Sequence, residues 1–354
     1  MRNWGKSMSW LGIRDQSATW RAPETPDILV VRGSIVIETR LPQARRLKPL
    51  LRVECGGDWP MHLAVQALPG GALSLVLDQA GEVVNHVVDC ADAARDEVLR
   101  ITYRWDAPRR DGWLAVERPD VGGIALLACP APRPFHASQI AAILARGGYL
   151  SPSVIYVAVS DAPEPVGVQP SLMPDTPILT PWGECPAGQL RRGDLVQTPD
   201  GAVPVLQALH RTVPARGLFA PVRLRAPYFE LHRDIAVAPT QHLLAEGSDV
   251  EYLFGRDAVR LRAGHLLGMP AVQPMRTGWL VPYVQLLLPG HEVLSAAGCR
   301  VESLCAGRLR RKPDLLRTSV LAGLDRATLP EHPDPATPSL RAFDAIVLAE
   351  NRAA

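Results

Sequence analysis

The chain has 354 residues, with 38 Lys and Arg against 36 Asp and Glu, a formal net charge of +2 and an apolar share of 47%. That length suits two domains better than one. The balance of charge argues against a broad electrostatic footprint for nucleic acid, and no apolar run reaches the roughly 18 to 20 residues of a membrane-spanning helix.

The first stretch, MRNWGKSMSWLGIRDQSATW, has no long apolar core ahead of a small-residue cleavage site, which argues against a cleaved secretory signal. The compartment stays open between the cytoplasm and export by a route that needs no such signal, and residues 1–26 are set apart as an N-terminal extension. Cysteines stand at 55, 90, 129, 185, 299 and 305. None forms a C-x-x-C pair, so neither a zinc ribbon nor a disulfide framework is expected, and the thiols are read as small buried apolar groups.

From residue 28 the pattern is that of strands. ILVVRGSIVIETRL is rich in β-branched residues; Leu63, Val65 and Ala67 alternate with other residues, Pro69-Gly70-Gly71 turns, Leu73, Leu75 and Leu77 alternate again, and Ala80-Gly81 turns before Val83–Val88. Leu99, Ile101, Tyr103 and Trp105 share one strand face, because side chains alternate with period two. ASQIAAILAR (137–146) is helical in pattern with Gly147-Gly148 as its stop, and SVIYVAVSD reads as a last strand. Strands at this spacing predict two stacked sheets over residues 27–160. The stretch LRITYRWDAPRRDGWLAVE resembles the concanavalin A-like, laminin-G-like sandwich. That resemblance implies a glycan or protein ligand. Trp59, Trp105 and Trp113 are the aromatics that could stack on a sugar ring, with packing in the core or a hairpin as the other reading. His62, His86 and His136 are isolated and suggest no metal site.

Residues 161–170 carry Pro163, Pro165 and Pro170 and are read as a semi-rigid linker. The next stretch, SLMPDTPILTPWGECPAGQLRRGDLVQTPDG, resembles the opening block of the hedgehog/intein (Hint) fold of bacterial proteins: Pro174, Thr176, Ile178, Thr180, Pro181, Gly183, Gly193, Asp194 and Val196 fall in step with it. PVRLRAPYFELHRDIAVAPTQHLL resembles the block that holds a Thr/Ser-x-x-His motif. VQLLLPGHEVLSAAGCRVESLCAG resembles the third block, with His291, Glu292, Val293, Ala297, Gly298, Glu302, Ser303 and Leu304 matching. The fold expected is thus mainly β: the sandwich, then an all-β Hint domain over 171–308, then a tail (309–354) packing on it.

The resemblance implies a chemistry. The side chain of the domain's first residue attacks the preceding carbonyl, which calls for a nucleophile, a proton donor for the departing amine and donors to the oxyanion. Here those positions are Ser171, in place of the usual Cys, and His242. Thr240 stands one place too close for the usual spacing, where Pro239 occupies the expected Thr/Ser position. His291 is the candidate for a later acid or base step. CRVESLCAG holds no Asn to cyclise, so splicing is not expected. Cleavage at Pro170–Ser171 is one expectation, and a decayed Hint scaffold carrying a glycan- or protein-binding sandwich is the other. No Walker-type loop or G-x-S-x-G elbow occurs, and His210, His232, His265 and His332 make no ligand spacing, so no cofactor or metal is expected.

Overall fold

The computed structural model describes residues 9–22, 29–40, 46–90 and 97–353. It divides into two compact units, Met1–Gly167 and Val168–Ala354.

The first unit is a β-sandwich. One sheet has seven antiparallel strands in the order Gly123–Ala128, Asp111–Arg118, Val98–Asp106, Arg32–Arg40, Val154–Ser160, Trp10–Asp15 and Thr19–Arg21. The other has five, in the order Tyr149–Leu150, Lys48–Cys55, Met61–Ala67, Leu73–Gln79 and Glu82–Val88, the last three being the meander expected from the alternating leucines. The inward faces meet in one core that includes Leu63, Val65, Leu75, Leu77, Leu99, Ile101, Tyr103 and Trp105. The helix lies at Ala137–Leu144, with Ile140, Ile143 and Leu144 turned into that core.

Two expectations change, and of the two readings of the tryptophans packing holds for Trp105 and Trp113. The extension 1–26 is in part sandwich: Trp10–Asp15 pairs with Val154–Ser160 and Thr19–Arg21 adds the edge, with Trp10, Leu11 and Ile13 buried. Trp10 to Arg14 are all buried, so the strand is covered on both faces and shows no period-two alternation to announce it, and residues 1–8 and 23–28 lie outside the described residues. Trp105 and Trp113 are 0% and 1% exposed, so neither can stack on a sugar; Trp105 donates its Nε1–H to the carbonyl of Val30 at 2.9 Å. Of the three tryptophans only Trp59, at 49%, faces solvent. Finally, the stretch taken as a linker is docked through Gly167. Glu164 accepts from Ser160 Oγ at 2.8 Å, Val166 packs on Trp113 and Ala115, and the Gly167 amide donates to Glu117 Oε1 at 2.9 Å. Beneath it Glu38, Arg100 and Glu117 form a buried row across three paired strands, with Arg100 Nη2 3.0 Å from Glu38 and Nη1 4.0 Å from Glu117.

The second unit is built of short antiparallel ladders around its own core, which includes Ile178, Val196, Val237, Leu243, Leu261, Val284, Leu286, Leu294 and Val301. A six-stranded sheet runs Gly183–Pro186, Pro177–Thr180, Val293–Ala296, Cys299–Glu302, His242–Glu246 and Ala258–Arg262. Gln207–Pro214 pairs with Leu280–Leu287, and Ile235–Val237, Val222–Leu224 and Val272–Pro274 form a further sheet. Gly193-Asp194 makes the turn read from the sequence, the Asp194 carboxylate accepting the Arg191 amide at 2.8 Å before the strand Leu195–Thr198. The tail contributes to the packing of this unit: Leu340, Ala345 and Leu348 join the main core, while Leu316, Leu321 and Leu329 close a smaller one with Leu287 and Leu304.

Candidate functional site

Leu172 anchors the start of the second unit. Fully buried, it bridges Val237 on one side and Val284 on the other, exchanging backbone hydrogen bonds of 3.1 and 2.8 Å with Val284. Burying a leucine completely is worth about 1.5–3 kcal/mol, so Ser171 is held where the chain enters the fold. Its carbonyl accepts from the Ala238 amide at 2.7 Å, and the residue is 5% exposed.

The Ser171 hydroxyl donates to Gln241 Oε1 at 2.6 Å. Gln241 is the residue before His242 and lies on a tight turn, its amide donating to the Ala238 carbonyl at 3.0 Å. The neighbouring segment closes on this turn: the Gly264 amide donates to Pro239 O at 2.8 Å, and a Cβ on Gly264 would stand 2.8 Å from Pro239 Cβ, closer than real side chains come. The Gln241 carboxamide is itself oriented. Its Nε2 donates to the carbonyls of His242 (2.8 Å) and Glu302 (3.1 Å), and its Oε1 also accepts from Gln285 Nε2 at 3.3 Å. Gln285 Nε2 reaches the same Glu302 carbonyl at 3.0 Å.

Behind this carboxamide pair lies a charged cluster. Glu302 Oε2 is 3.5 Å from His242 Nδ1 and 3.7 Å from His291 Nε2, while Arg260 Nη1 is 3.3 Å from Glu302 Oε1. Burial pushes His242 down to about 3, with Arg262, Arg260, His265 and His291 adding to the effect. The facing carboxylate does not outweigh this: loss of hydration and the surrounding cations dominate. Burial, then His332 and Arg260, push His291 down to about 4. Burial raises the Glu302 carboxyl against the pull of Arg260. His332, fully buried, is locked neutral: its Nδ1 accepts the Ala306 amide at 3.0 Å, so its Nε2 carries the proton toward Leu288 O at 3.1 Å, and its ring stacks on His291 with centroids 6.1 Å apart. Among the described residues no group of three or more His, Cys, Asp or Glu is arranged to hold a metal ion.

Residues 170–308 match the family model described as the Hint domain. The second unit therefore contains a Hint domain. Within it, Ser171 bonds to Gln241, Gln241 bonds to the main-chain carbonyls of His242 and Glu302, and the imidazoles of His242 and His291 face the Glu302 side chain. Thr240 is half-buried on the same turn, but the hydrogen bond from Ser171 goes to Gln241 and not to it. Sequence reasoning gave no role to Gln241, Gln285, Glu302 or Arg260. One signal was present: Gln285 is the single polar residue in the run VQLLL.

No curated protein matches the chain. Among solved structures it is similar to the CBM40 of the Ruminococcus gnavus IT-sialidase bound to alpha2,3 sialyllactose, at 19% identity over 37% of this chain and 76% of that one, with a TM-score of 0.26. It is also similar to the native heptameric SAP-like pentraxin from Limulus polyphemus, at 13% identity over 44% and 65%, with a TM-score of 0.23.

Proposed function

We propose that the Hint domain cleaves its own chain at Pro170–Ser171, without splicing. Ser171 Oγ attacks the carbonyl carbon of Pro170, and the bond from that carbon to the Ser171 nitrogen breaks. The proton lost from Oγ ends on that nitrogen, leaving an ester and an amine. Water then opens the ester, giving residues 1–170 a carboxyl end and residues 171–354 an amino-terminal serine. His242, neutral near pH 7, carries the proton from oxygen to nitrogen. Thr240 is the candidate donor to the oxyanion, and His291 assists the attack of water.

The observation that carries this reading is the placement of the Ser171 hydroxyl. It is buried and bonded to the residue that precedes His242, where a serine in a mere spacer would be solvated. A second reading, a decayed scaffold whose sandwich binds a glycan or a protein partner, is favoured by the acceptor being a carboxamide, which takes no proton. Incubation of the purified chain with hydroxylamine, followed by intact mass spectrometry, separates the two. Fragments ending at 170 and starting at 171, lost in Ser171→Ala, are expected from self-cleavage. Only the whole 38.4 kDa chain, with every nucleophile tried, would leave the scaffold.

A further inference from the structure

We infer that Glu302 is the positioning residue of this site: its carboxylate holds His242 in the tautomer protonated on Nδ1 and so leaves Nε2 as the atom that moves the proton. The catalytic meaning of this rests on the self-cleavage reading; the tautomer itself does not.

The argument starts from the donor and acceptor inventory. A carboxylate only accepts, so an imidazole nitrogen that faces it does so as N–H. The Glu302 side chain is 10% exposed and is held by Arg260, whose Nη1 lies 3.3 and 3.4 Å from its two oxygens and whose Nε donates to Thr337 O at 2.7 Å. Arginine stays charged, so it keeps an anionic partner beside it. The nitrogen of His242 that faces Glu302 is Nδ1, at 3.5 Å. A neutral imidazole has one N–H, and if that proton is on Nδ1 the lone pair is on Nε2. The separation is longer than a hydrogen bond, as catalytic contacts often are before the reacting groups close up.

Glu302 also has a second, separable role. Its backbone carbonyl accepts from both Gln241 and Gln285, which turn the Gln241 oxygen toward Ser171. The main chain of one residue thus orients the nucleophile's acceptor while its side chain orients the proton carrier. A side-chain substitution touches only the second.

The test is Glu302→Gln in the full chain. Arg260 remains a donor, so the new amide oxygen turns to it and the amide NH2 faces the imidazoles; His242 must then accept at Nδ1 and carry its proton on Nε2. Long-range 1H–15N spectra of the histidine-labelled chain, in a Ser171→Ala background that keeps it whole and assigned with His242→Gln, read this directly. We expect Nδ1–H with Glu302 in place, Nε2–H in the Glu302→Gln variant, and Nδ1–H restored by Glu302→Asp. In the cleaving background, Glu302→Gln should slow cleavage by about 100-fold or more, with Glu302→Asp recovering part of the rate. A His242 protonated on Nε2 with Glu302 in place overturns the inference, even if Glu302→Gln fails to fold. So does a tautomer indifferent to residue 302. If the tautomer switches and no chain ever cleaves, the positioning role stands and the self-cleavage reading falls.

Discussion

Gln285 is 3% exposed in an apolar strand, and its Nε2 serves Gln241 Oε1 and Glu302 O while its Oε1 has no hydrogen-bond partner among the described residues. Replacing it with leucine takes one donor from each of two buried acceptors, but Gln241 Oε1 keeps the Ser171 hydroxyl and Glu302 O keeps Gln241 Nε2, and the orphan oxygen goes with the side chain. The two effects nearly offset, so Gln285→Leu is expected to change stability by less than about 1 kcal/mol in urea titrations. On the self-cleavage reading it should still slow cleavage, by loosening the carboxamide that holds the Ser171 hydroxyl. At this scale the sequence was legible in part. Period-two alternation placed Leu99, Ile101, Tyr103 and Trp105 on one face correctly. It could not show that Trp113, on the opposite face of its strand, is buried as well, because the cover is Val166, more than fifty residues away.

The element that decides the site is the turn 238–241. It delivers Gln241 and His242, and the Ala238 amide that grips the Ser171 carbonyl at 2.7 Å. Its shape depends on the close approach of Gly264 to Pro239. Gly264→Ala would put a methyl 2.8 Å from Pro239 Cβ and 3.0 Å from its carbonyl oxygen, so the turn must move. On the self-cleavage reading, the expected outcome is cleavage slowed by at least about tenfold with a smaller loss of thermal stability, since displacing reacting groups by about 1 Å can cost far more rate than folding energy. The Hint blocks were readable because they are turns and strands with local signatures, such as Gly193-Asp194. The role of this turn was not, since the spacing of Thr240 to His242 breaks the expected motif and the contact that matters, from Gln241 to Ser171, spans seventy residues.

Taken as a whole, the chain should respond to acid through its second unit. His242 and His291 titrate at about 3 and about 4 when folded, against an ordinary 6.5. Below about pH 6.5 the unfolded chain binds protons that the folded unit refuses, so stability is complete above that pH and is lost as pH falls. Glu302, whose carboxyl is raised by burial, opposes this where it titrates, because the folded unit then binds the proton first. Between about pH 7.5 and about pH 5 the two histidines together cost up to about 4 kcal/mol, an amount Glu302 reduces. The urea midpoint should fall accordingly, and the double variant His242→Gln/His291→Gln should lose the share of the slope these two supply, keeping that of His332, His210 and His86, which burial lowers as well.

The docked stretch Asp161–Gly167 bears on what self-cleavage would release. With Val166 seated on Trp113 and the Gly167 amide held by Glu117, a break after Pro170 leaves only Val168, Gln169 and Pro170 beyond the sandwich's own last anchor; before the break Val168 packs on the smaller core of the second unit and Gln169 accepts from Arg211. The liberated sandwich would carry its fresh carboxyl end as a short peg, with no trailing arm to be trimmed or to seek another strand edge.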